Sequence, residues 1–82
     1  MFLIPDTKAV ADGEWFPVHS SNIAGIKYDK ASRTLTIMFD RSTIYSYEDV
    51  SEILYTKMKS ATSKGRFYNT YIKGIYNSTR VQ

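Results

Sequence analysis

Around Asp49 the spacing of apolar residues changes from every second position to every third or fourth, so strands come first in this chain and helices second. Before that point, Thr34-Leu35-Thr36-Ile37-Met38-Phe39 alternates, with Leu35, Ile37 and Phe39 on one face. Ile44-Tyr45-Ser46-Tyr47 alternates again and sets Tyr45 and Tyr47 side by side. Upstream, the segment from Asn22 to Asp29 mixes β-branched and aromatic residues and ends on a turn residue, which reads as a first strand. The turns at residues 29–33 and 40–43 are short, so the three strands form an antiparallel meander.

After Asp49, Val50, Ile53, Leu54, Met58 and Ala61 fall at helical spacing. Asp49 or Ser51 can cap this helix, and Asp49 with Glu52 has the outline of a capping box. A second helical pattern runs from Lys64 to Ile75 with Ser63 as its natural N-cap, and Phe67, Tyr68, Tyr71, Ile72 and Ile75 form its apolar positions. The expected fold is α+β: a three-stranded antiparallel β-meander followed by two α-helices packed on the sheet. Residues 1–17 read as an N-terminal extension, 18–76 as the domain and 77–82 as a flexible tail.

With 82 residues, there is room for one domain that buries only about 60–65% of its unfolded surface. No cysteine is present, which removes disulfides, thiolate nucleophiles and sulfur ligation of metals. The one histidine, His19, stands near Ser20, Ser21 and Asp29, but neighbours on an extended segment point apart and no oxyanion device is visible. The chain therefore reads as a non-enzyme without cofactor or metal. No apolar run approaches the roughly 20 residues of a membrane span, and Pro5 and Asp6 end the apolar opening Met1-Phe2-Leu3-Ile4. A cytoplasmic protein with no membrane partner is expected. Asn77-Ser78-Thr79 matches a glycosylation sequon, read as chance in that setting.

Net charge is +3 and unevenly spread. Residues 1–19 carry Lys8 against Asp6, Asp12 and Glu14, and residues 20–50 balance. Residues 51–82 set Lys57, Lys59, Lys64, Arg66, Lys73 and Arg80 against Glu52 alone. A basic excess of this kind suits phosphate, although a solvated lysine-rich face accounts for the same charge.

The order of elements, with specific residues, resembles the KTSC domain, a short module named for its occurrence at the C terminus of some lysyl-tRNA synthetases and also found as a single-domain bacterial or phage protein. The resemblance runs from Val18 to Tyr76. It rests on Ser20-Ser21-Asn22-Ile23, Tyr28-Asp29, the Leu-x-Ile-x-Phe strand, the Tyr-x-Tyr of Tyr45 and Tyr47, and Val50. Its most specific stretch is Ser63-Lys64-Gly65-Arg66-Phe67-Tyr68-Asn69, continued by Ile72, Lys73 and Tyr76. Ser42 stands where the family often has Gly, and Ser51 where it often has Pro; both positions concern turn geometry. The resemblance implies RNA binding by association with a tRNA ligase and supplies no active site.

Three candidate sites follow. At Ser63-Lys64-Gly65-Arg66, a helix N-terminus with two basic side chains and a glycine suits phosphate, unless Gly65 is small only because the helix start packs closely there. Tyr45 and Tyr47 form either a stacking platform for single-stranded bases or part of the core, with Asn69 a candidate partner for their hydroxyls. Lys57, Lys59, Arg66, Lys73 and Arg80 give a basic face. The expected function is a small non-catalytic module that binds nucleic acid, RNA before DNA, through Lys64, Gly65, Arg66, Lys73, Tyr45 and Tyr47. The alternative is a protein-interaction module, such as a phage-type accessory or inhibitor protein docking on a host protein through Trp15 and Phe16, residues that otherwise cover the open side of the core. A monomer or weak homodimer is expected.

Overall fold

A computed structural model describes residues 14–20 and 22–82. Strands β1 (Phe16–Pro17), β2 (Gly25–Asp29), β3 (Thr34–Asp40) and β4 (Thr43–Tyr47) are followed by helices α1 (Glu52–Ser60) and α2 (Lys64–Tyr71) and by β5 (Ser78–Arg80). The strands form one antiparallel sheet in chain order, β1-β2-β3-β4-β5. The α+β meander with two following helices is as the sequence indicates, with two additional edge strands.

Register explains the core. Ile26 pairs with Ile37, Tyr28 with Leu35, Leu35 with Tyr47 and Ile37 with Tyr45, so these side chains share one face. Ile26, Leu35 and Ile37 are fully buried there, together with Ile23, Val50, Met58 and Ile72 from the flanking segments and the helices. The ring of Tyr55 on α1 stacks on Tyr28, with centroids 5.1 Å apart, and the Tyr28 hydroxyl donates to the Val50 carbonyl. The opposite face carries Lys27, Thr34, Thr36 and Ser46, polar residues that suit water.

Ser51 caps α1 by accepting from the Leu54 N–H at 3.1 Å, and Ser63 caps α2 by accepting from the Arg66 N–H at 3.2 Å. The capping box with Asp49 does not form. Asp49 instead takes a left-handed conformation (φ 60°) and faces Arg33, also left-handed (φ 56°), whose Nε lies 3.1 Å from the Asp49 carboxylate. Ile53, an expected core position, is exposed because it lies on the outer side of α1.

Three expectations on boundaries are corrected. The first strand begins at Gly25 rather than Asn22. Helix α2 stops at Tyr71 rather than Ile75, because the N–H groups of Ile72 and Lys73 both turn to the Tyr68 carbonyl and Gly74 then takes φ 77°, which a side chain would resist. The segment read as a tail is β5: Tyr45 pairs with Arg80 and Tyr47 with Ser78, and the Ile44 N–H donates to the Gln82 carbonyl at 2.7 Å. Short and polar, it carries no alternating pattern, and what orders it is the open backbone edge of β4.

Deleting residues 78–82 removes those ladder bonds, and we expect a loss of about 2 kcal/mol, or roughly 10 °C in Tm. Thermal denaturation of the shortened chain checks this; an unchanged Tm would mean the segment contributes as a tail does.

Candidate nucleic-acid interface

The two most specific stretches of the sequence meet in space. Gly65, on the first turn of α2, is buried against the side chain of Asn22, and a Cβ at residue 65 would lie 2.6 Å from Asn22 Oδ1. That oxygen also accepts from the Ser20 hydroxyl at 2.9 Å. The glycine therefore serves close packing, and Asn22 occupies the space through which a ligand oxygen would reach its backbone. Lys64 is likewise committed, since its ammonium donates to the Ala61 carbonyl at 2.7 Å and closes the C-terminal end of α1. Of the expected phosphate cluster, Arg66 alone is exposed and without a polar side-chain partner among the described residues.

Tyr47 is not a stacking platform. It is 3% exposed, and its hydroxyl lies 2.8 Å from the hydroxyl of Tyr68, not beside Asn69 as expected. Phe39, Tyr45, Tyr47 and Tyr68 form an aromatic group with edge-on contacts, the Tyr47 and Tyr68 centroids 5.9 Å apart. Burial, and then the neighbouring Tyr68 hydroxyl, push the Tyr47 phenol above its usual range. Tyr45 is only half-buried, and it opens onto a groove of about 470 Å³ shared with Tyr68, Asn69 and Lys73. The structure thus brings Tyr45 and Lys73 together in one groove, which Lys64 and Gly65 do not line.

On the outer side of α2, a second groove of about 510 Å³ runs past Ser63, Arg66, Phe67 and Tyr71. Tyr71 is 52% exposed and packs on the Phe67 ring at 4.8 Å. Spacing alone places it on the apolar side. The helical wheel carried the contrary signal, because Tyr71 lies about 100° from Ile72, which faces the core.

Neither Trp15 nor Phe16 is a core residue; they are 37% and 38% exposed. Consecutive strand residues point to opposite faces, and the contacts follow that rule: Lys27 lies over the Trp15 ring on one face, and Lys59 of α1 lies over Phe16 on the other. The two rings therefore do not form one hook. His19 is exposed, and Asp29 spends its carboxylate on the Ala31 N–H and the Ser32 hydroxyl rather than on His19. Ser21 lies outside the described residues. Among the described residues no cluster of three His, Asp or Glu side chains is placed to hold a metal, and no helix is long and apolar enough to cross a membrane.

A five-stranded antiparallel sheet with two helices on one face, fastened where Asn22 meets a glycine of the second helix, defines a small α+β module. The chain belongs to the KTSC domain family, whose sequence profile matches residues 19–76. It is similar in structure to a KTSC domain protein from Yersinia pestis, with a TM-score of 0.80 and 38% identity, covering 84% of this chain and 97% of that one. It is also 31% identical over 79 residues to a lysine–tRNA ligase of a Nostoc species and 32% to that of Nostoc punctiforme. The match takes in 93% of this chain and 14% of either ligase, so the chain spans about a seventh of their length. A protein of Tsukamurella paurometabola is 35% identical over 57 residues, which are 70% of this chain and 85% of that protein.

Two experiments test this geometry. Gly65→Ala is expected to cost about 1–3 kcal/mol through overpacking, and Asn22→Ala in the same chain to remove most of that cost; a double-mutant cycle by urea denaturation reads the coupling. The Tyr47 phenol is raised in the folded state, so its contribution is fully present below the unfolded value of about 10 and is lost as pH rises above it. Tyr47→Phe should therefore be less stable than wild type at pH 7 by about 1 kcal/mol, with the gap narrowing above pH 10 in denaturation measured across that range.

Proposed function

We propose that this KTSC domain is a non-catalytic nucleic-acid-binding module whose preferred ligand is RNA. The observation that carries the reading is the flank of α2. Arg66, Asn69 and Lys73 follow one another at helical spacing, all three exposed, and neither cation has a carboxylate within ion-pair reach among the described residues. The ion pairs formed there, Lys30 with Glu52 and Arg33 with Asp49, lie elsewhere. Within residues 51–82, Lys64 bonds to the Ala61 carbonyl, Arg80 to the carbonyls of Ser42 and Gln82, and Lys59 sits over aromatic rings, so Arg66 and Lys73, with Lys57 on α1, are the cations of that segment left to meet a phosphate. Exposed aromatic surface borders both sides of that flank, Tyr71 on one and Tyr45 on the other. Cations interleaved with aromatic rings are the surface that single strands use. The presence of a homologous region in lysine–tRNA ligases supports RNA over DNA. In this arrangement Arg66 and Lys73 hold backbone phosphates, while Lys64, Gly65 and Tyr47 shape the scaffold.

The test is binding of a short RNA at several salt concentrations by fluorescence anisotropy. Arg66→Ala with Lys73→Ala is expected to reduce the slope of log K against log salt by about 1.4, the loss of two phosphate contacts to a single strand, while leaving Tm unchanged. Unaltered affinity and slope would reject the reading.

A further inference from the structure

The groove beneath Tyr45 has a lining that the phosphate contacts alone do not use. Its volume of about 470 Å³ lies within the range of about 300–1,000 Å³ typical of small-molecule sites. Tyr45 gives it an aromatic wall from the sheet, and Asn69 and Lys73 come from the flank of α2, with Asn22 on the rim. Among the described residues that line it, none carries a carboxylate. Tyr47 and Tyr68 also line it, and their hydroxyls have two hydrogens for the one bond that joins them. The second hydrogen is left to donate to an acceptor in the groove. The Asn69 carboxamide and the Asn22 Nδ2 donors have no hydrogen-bond partner among the described residues. The groove thus offers a ring face, carboxamide donors and an acceptor, a phenolic donor and a single cation.

We infer that this groove is a pocket for one unpaired nucleotide: the base lies against Tyr45, its polar edge meets Asn69 and the tyrosine hydroxyls, and its phosphate meets Lys73. The inference rests on the nucleic-acid reading above and adds a defined pocket that takes one unstacked base. Bases within an A-form duplex have their faces covered by their neighbours and cannot enter, whereas an unstacked base presents its face and its hydrogen-bonding edge together. Free nucleoside monophosphates carry the same chemistry, and the experiment separates the two sources.

Chemical-shift mapping by amide NMR is run with a single-stranded RNA octamer, with a duplex of the same length, and with each of the four nucleoside monophosphates. Shifts at Tyr45, Asn69 and Lys73 with the octamer and the monophosphates, absent or weak with the duplex, are the expected result. Tyr45→Leu should lower octamer affinity by roughly five- to 150-fold, the range for loss of a stacked base, and Asn69→Ala, at an exposed position that leaves the fold intact, by roughly two- to tenfold, the range for loss of a hydrogen bond. Octamer binding without shifts in the groove, or undiminished in Asn69→Ala, overturns the pocket and leaves the nucleic-acid reading standing. Monophosphate shifts in the groove with no RNA binding uphold the pocket for free nucleotides and overturn the nucleic-acid reading. An absence of shifts with every ligand overturns both.

Discussion

Ile37 stands in the middle of the middle strand, paired with Ile26 on one side and Tyr45 on the other, and it is fully buried. A chain of this size can cover one face of such a sheet and not two, so both helices must lie over the Ile37 side. Everything else in the fold answers to that requirement. Met58 and Ile72 descend from the helices to the same layer, Ser51 and Ser63 start each helix at the point where its apolar positions meet the sheet, and Gly65 lets α2 settle against the Asn22 turn without a gap. The uncovered face meets water through Lys27, Thr34, Thr36 and Ser46, while Met38 and Ile44 pair with each other on it.

The order of strands and helices was legible because it depends on period, and period is a local property. The alternation of Leu35, Ile37 and Phe39 and the spacing of Val50, Leu54 and Met58 carry it without reference to any distant residue. The edge strands were not legible, since Ser78 to Arg80 and Phe16-Pro17 have too few residues to show a period and are ordered by backbone groups of β4 and β2. The same distinction separates the sites. That Ser63 would cap a helix follows from its neighbours, whereas the fates of Lys64 and Gly65 depend on Ala61 and Asn22, which only the folded chain brings near. Tyrosines divide in the same way: nothing in Tyr45-Ser46-Tyr47 says that one ring is half-exposed and the other is buried with its hydroxyl bonded to Tyr68.

The residues that carry the family resemblance therefore divide between those that hold the scaffold and those that form the surface offered to a ligand. Asn22, Gly65, Tyr47 and Tyr68 fasten the second helix to the sheet. Arg66 and Asn69 ride on α2 and Lys73 follows in the turn after its end; all three are exposed, so the rigidity of the fastening sets the spacing of the exposed groups. A homologous segment occurs within a much longer lysine–tRNA ligase and in the KTSC domain protein of Yersinia pestis, so the same scaffold is used in chains of very different length.

The placement of Trp15 makes the chain its own optical reporter. It is the one tryptophan present, and its ring lies on the outer face of the sheet, against Gly25 and beneath Lys27. The glycine leaves a shallow bed in β2 that the indole fills, as an aromatic ring shelters a bare strand position. Indole emission thus follows the docking of the first strand, whereas the tyrosines under the helices sense the opposite side of the sheet. The two chromophores divide the molecule by face, and loosening of the first strand can be distinguished spectroscopically from melting of the helical layer.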